Sequence, residues 1–193
     1  MSIHDPTIDE ILDFWFEAAG PARWYASSPA FDARVRRLFA RPIEDHARLW
    51  WESEHPWEDS AFGSFALILM FDQFTRNAWR GSGHAFAHDE IARNVAWNML
   101  ERGFDWAIPD DRRAFVYMPF MHSEEIEDQD LCVALAGERL SGSGTLDHAI
   151  KHRDVIRQFG RFPYRNEALQ RTSTPAETAY LQGGGYAPGR KRA

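Results

Sequence analysis

A chain of 193 residues, 44% hydrophobic and 14% aromatic, carries enough apolar surface for one domain with a sizeable core. A formal net charge of −7 excludes the positive field on which nonspecific nucleic-acid binding and attraction to acidic membranes depend. The single cysteine, Cys132, excludes an intrachain disulfide and a cysteine-built zinc cage, and the first residues lack the basic start and apolar core of a signal peptide, so a cytoplasmic protein is expected.

Helical spacing runs through nearly every segment and none alternates apolar with polar residues, which predicts an all-α fold. Thr7-Ile8-Asp9-Glu10 is a capping box that opens a helix burying Ile11, Leu12 and Trp15 and ending near Gly20-Pro21. Ser28-Pro29 starts the second, through Phe31, Val35, Leu38 and Phe39, and Pro42 is expected to kink or break it before Leu49. The third covers about 57–79. Its run 61–71 is apolar all round, the mark of a central helix enclosed by others, yet is far short of the roughly 20 residues that span a bilayer. Further helices are expected at about 86–102, 110–118, 123–140 and 146–160, with Ser123 capping the one at 123–140, and Thr174-Pro175-Ala176-Glu177 caps a last one. The links at Gly81-Ser82-Gly83, Gly103, Pro109, 141–144 and Pro163 are short, which favours antiparallel neighbours and hence stacked helical hairpins. Residues 1–181 are expected to form a single all-helical domain, and the Gly-rich 182–193 a flexible C-terminal tail.

Three segments set polar groups against apolar ones. In the third helix, Asp72 and Arg76 fall at about 100° per residue in the sector of Phe65, Ile68 and Leu69, off any solvated face. They form either a satisfied ion pair, with Gln73 and Asn77 bonding to loop backbone, or a preformed anion or amide site. The helix at 146–160 turns His148 and His152 toward Val155, Ile156 and Phe159. These histidines have the spacing of a helical metal pair, but no glutamate adjoins the first and no third ligand is evident, so no metal is assigned and no cofactor is expected. His122, Ser123 and Glu124 stand where an apolar run meets an acidic helix start, at which a side chain can reach a pocket mouth. Gly160 and Pro163 end the helix at 146–160, and Arg161, Arg165 and Asn166 follow.

These segments, with Leu12-Asp13-Phe14-Trp15-Phe16, resemble the bacterial family known as domain of unknown function 924 over roughly residues 8–181. The family pattern is similar at Asp72, Gln73, Phe74, Arg76 and Asn77, at Met121, His122, Ser123 and Glu124, and at His152, Phe159, Gly160, Arg161, Phe162, Pro163, Arg165 and Asn166. Thr75 stands where that pattern has proline, Tyr164 where it often has histidine, and His148 has no counterpart. The resemblance implies a tetratricopeptide-like superhelix and no assigned activity. Three functions follow from the residues. A polar pocket of Asp72, Arg76, His122 and Arg161 would bind a small anionic ligand or a peptide carboxylate. An enzyme would use His152 or His122 as general base. A scaffold would bind a protein through Trp50, Trp51 and Trp57, its polar cluster being structural.

Overall fold

Helix α1 (Ile8–Asp13) opens as its capping box requires: the Thr7 hydroxyl accepts the Glu10 amide, and the Glu10 carboxylate accepts the Thr7 amide at 2.8 Å. The computed structural model describes residues 5–188 other than 25, 27, 141 and 143, and among these every regular element is helical. Two compact units are formed, Met1–Arg80 with His84–Ile108, and Gly81–Gly83 with Pro109–Ala193.

In the first unit α1 widens into a π-helical turn, Phe14–Ala19, closed by a bond from the Gly20 amide to the carbonyl five residues back. The extra residue per turn changes the phase of the side chains, and Phe14, Trp15 and Phe16 are all buried. After α2 (Pro21–Trp24), helix α3 runs unbroken over Pro29–Glu52. Of the kink or break expected at Pro42, the break does not occur. Phe31, Val35, Phe39, Ile43 and Ala47 instead make one buried stripe across the proline, and that burial outweighs the amide bond lost there. The expected third helix begins with a 3-10 turn, Pro56–Asp59, then continues as α4 (Ala61–Ile68), a π-helical stretch Leu69–Phe74 and α5 (Thr75–Ala78). Gly63 is obligatory at its start, since a Cβ there would lie 2.2 Å from the Trp57 carbonyl oxygen. Leu69 to Phe74 are all buried, and α6 (Asp89–Glu101) packs on this stretch and on α4.

In the second unit α7 (Asp110–His122) packs on α8 (Ile126–Arg139), and α8 on α9 (Thr145–Phe159). Helix α7 extends past the expected 118 because Phe120 and Met121 continue its buried face beyond Pro119. Ser123 does not cap α8, which starts later. Its hydroxyl accepts the Glu125 amide and shapes the link. The buried Gln129 closes that link, its side-chain amide donating to the carbonyls of Phe120, Met121 and Ser123 at 3.3, 2.7 and 2.6 Å. Gly160 ends α9 in the left-handed conformation (φ 67°), its amide bonding the Ile156 carbonyl at 2.7 Å. A 3-10 turn, Pro163–Arg165, and α10 (Pro175–Gln182) complete the unit, α10 opened by the Thr174 capping box. Among the described residues no helix is long and apolar enough to cross a membrane.

Candidate functional site

Of the groups singled out in the first unit, Asp72 and Gln73 lie on the π-helical stretch, and Arg76 and Asn77 on α5 directly after it. Asp72 is fully buried. Its Oδ2 accepts the Gln73 side-chain amide at 2.5 Å, and its Oδ1 lies 3.4 Å from Arg76 Nη2. The stronger pairing of Arg76 is with Asp89, through two parallel bonds of 2.7 and 2.9 Å, and its guanidinium also donates to the Ala85 carbonyl and lies 4.8 Å over the Phe86 ring. Asn77 donates to the Gln73 carbonyl at 3.1 Å and accepts from Arg80 at 3.0 Å. Thr75 donates its hydroxyl to the Phe71 carbonyl at 2.8 Å. Arg76 thus stands between two carboxylates, and Asp89 completes a pairing whose nearer half alone was evident from helical spacing.

In the second unit His152 is the centre. Its ring is 3% exposed, with Nδ1 2.8 Å from the His148 carbonyl oxygen, so Nδ1 carries the proton and donates. Nε2 then holds a lone pair, and it is buried without a hydrogen-bond partner among the described residues. Phe162 and Tyr186 meet the imidazole edge-on, with ring centres 5.5 and 5.0 Å away, and His122 lies at 6.1 Å. Burial pushes the His152 pKa down to about 3, and the charges of His122, Arg165 and His148 act the same way against the opposing carbonyl bond. The ring is neutral at ordinary pH. Arg165 is buried on the 3-10 turn, its guanidinium 4.5 Å over the Phe162 ring, and the neighbouring Asn166 has a buried Oδ1 without a partner among the described residues.

The other nominated groups brace this centre. Glu124 accepts the Phe162 amide at 2.9 Å and the Arg171 guanidinium at 2.9 and 2.8 Å, tying the α7–α8 link to the segment after α9. Arg161 donates to both oxygens of Glu177 at 2.6 and 2.9 Å and to the Thr172 carbonyl at 3.0 Å. Glu177 also accepts the Thr174 amide and the Asn166 side chain, and Arg161 beside it draws its pKa down to about 2. Arg161 therefore anchors α10. Sequence reasoning missed Arg171, which has no motif to mark it, and Tyr186, assigned to the Gly-rich tail. Tyr186 is half-buried, its hydroxyl 2.8 Å from His148 Nδ1. Glu177 was visible as a capping residue but not as the partner of Arg161. Of the scaffold tryptophans, Trp51 is 60% exposed, whereas Trp50 donates to Glu58 and Trp57 packs on His46.

Residues 11–185 match the model of a family described as bacterial protein of unknown function (DUF924). A solved structure of a protein of unknown function from Agrobacterium tumefaciens, ATU0120, superposes with a TM-score of 0.84; it is 40% identical, over 92% of this chain and 97% of that one. No curated protein matches. Family pattern and backbone agree over nearly all of the sequence, and the chain belongs to the DUF924 family of bacterial proteins of unknown function.

Proposed function

We propose that this protein binds a small anionic molecule in its second unit, around His152, and that the ligand carries a hydrogen-bond donor beside its acid group, as a short 2-hydroxy or 2-amino carboxylate does. The observation that carries the reading is the buried, unpartnered Nε2 of a histidine whose tautomer is fixed from the other side. A buried acceptor left without a bond costs about 1–3 kcal/mol, a cost that a ligand donor removes. The positive charge of Arg165, felt at His152, favours an anion, and Asn166 Oδ1 offers a second acceptor nearby in sequence. The same depressed basicity argues against His152 as general base, because a base works best with a pKa near the working pH. The cytoplasm is the compartment that suits the chain, whose one thiol, Cys132, is buried with its pKa pushed up to about 12 and so is inert.

Thermal-shift measurements against a panel of short 2-hydroxy and 2-amino carboxylates test the proposal. An acid at about one hundred times its dissociation constant should stabilise by about 2.7 kcal/mol, a rise of roughly 5–10 °C for a chain of this size. H152Q, folded by circular dichroism, should lose most of that rise. A wild-type protein indifferent to the whole panel, or a full response in H152Q, would reject the reading.

A further inference from the structure

Three potential ligand atoms converge in the first unit at a place neither the helical phase nor the family motifs mark. Glu44 lies on α3, His84 in the 3-10 turn Gly83–Phe86, and His88 at the cap of α6. Both imidazoles aim Nε2 at one oxygen, Glu44 Oε1, at 2.8 Å from His84 and 3.2 Å from His88. All three ligand atoms lie within 4.8 Å of one another.

Their surroundings fix the rings while leaving one side open. Trp79 meets the His84 ring edge-on at 4.2 Å, and Phe71 lies 5.8 Å from the His88 ring. The His88 side chain is 11% exposed, against 40% for His84 and 47% for Glu44, so solvent reaches the cluster from the side of the last two. Burial opposes the charge on Glu44, yet the hydrogen bonds from His88 and His84 outweigh it and hold the carboxyl below its ordinary pKa.

We propose that Glu44, His84 and His88 bind one divalent transition-metal ion. Two imidazole nitrogens and a carboxylate oxygen suit Zn²⁺, Co²⁺ or Fe²⁺, whereas an all-oxygen set would suit Mg²⁺ or Ca²⁺. Bonds of about 2.0–2.1 Å to a tetrahedral ion separate its ligands by roughly 3.3–3.4 Å. The observed 2.8 and 3.2 Å to Glu44 lie close to that spacing, and the third separation, between the two imidazoles' ligand atoms, is within 4.8 Å. Each imidazole would turn from donor to ligand by carrying its proton on Nδ1 rather than Nε2. The fourth position would face solvent and hold water.

Calorimetric titration of the full-length, tag-free chain with ZnCl₂ tests the site, and CoCl₂ supplies a visible ligand-field spectrum as a second readout. One ion per chain is expected. H84A and H88A should each weaken binding at least tenfold, the double variant should lose it, and E44Q should weaken it severalfold. H148A, which alters the other i,i+4 histidine pair, should bind as the wild type does. Circular dichroism checks each fold; if a histidine variant is unfolded, E44Q decides, because Glu44 is exposed and glutamine keeps its shape. No binding by the wild type, binding by the folded double variant as tight as the wild type's, or unchanged affinity in E44Q would overturn the proposal.

Discussion

Asp72 is a carboxylate with no exposure to solvent that accepts from the Gln73 side-chain amide and lies 3.4 Å from the Arg76 guanidinium. Removing it takes an acceptor from Gln73 while Arg76 keeps its pair with Asp89, so the cost is that of lost buried hydrogen bonds, about 1–3 kcal/mol. Asp72→Ala should lower the denaturation midpoint accordingly, and an unchanged midpoint would show that the pair contributes nothing. At this scale the sequence was informative about direction: helical phase turned Asp72 and His152 inward, and both are buried. It was uninformative about partners that come from elsewhere in the chain. Asp89 reaches Arg76 from thirteen residues on, and Glu44 meets His84 across forty, separations at which no local periodicity operates.

At the scale of elements, the two π-helical stretches and α10 are the instructive cases. A single uninterrupted helix over 57–79 was a fair reading of the hydrophobic pattern, because burial all round conceals the change of phase that a π turn introduces. Pro42 and Pro119 are both accommodated inside helices for the same reason, a continuing buried face on either side. Helix α10 hangs on Glu177, which accepts from Arg161, Asn166 and the Thr174 amide. Glu177→Gln keeps the shape but removes the charge, so hydrogen exchange at the α10 amides should quicken at least tenfold while that of α9 stays unchanged. Equal exchange in variant and wild type would mean that α10 is held by its apolar contacts alone. The folded pKa of about 2 lies below the ordinary value of 4.5, so the stabilisation from Glu177 is present above about pH 4.5 and is lost as the pH falls toward 2. Glu177→Gln should lack that part of the acid dependence.

For the molecule as a whole, buried neutral histidines set the response to acid. In the first unit the Trp57 amide donates to His55 Nδ1, which places the His55 proton on Nε2; that nitrogen donates to His46 Nδ1 at 2.9 Å, and His46 Nε2 lies 3.3 Å from Asp5. Burial lowers the pKa of His46 and, with the His46 charge, takes that of His55 to about 4, while His152 in the second unit is near 3. A histidine with a depressed folded pKa takes up its proton on unfolding, so its effect is absent above about pH 6.5 and destabilises as the pH falls below that value. At pH 5, His55 and His152 should each cost about 2 kcal/mol relative to pH 7. Urea denaturation at the two pH values checks this, and H152Q should show the shallower dependence. A midpoint independent of pH across that range would mean that these rings titrate normally. The all-α class was legible from the sequence throughout, because periodicity is a local property. The division into two units was not, since it depends on which helices pack together.

Ligand binding as proposed requires that His152 present a neutral, unprotonated Nε2. Nitrogen-15 spectra of histidine-labelled protein, with the His152 signal assigned by its loss in H152Q, measure this directly. The expected result is a proton on Nδ1, none on Nε2 from pH 7 down to about pH 4, and a shift of the Nε2 resonance when a stabilising carboxylate is added. A His152 ring protonated on Nε2 at neutral pH, or one titrating near pH 6.5, would contradict it.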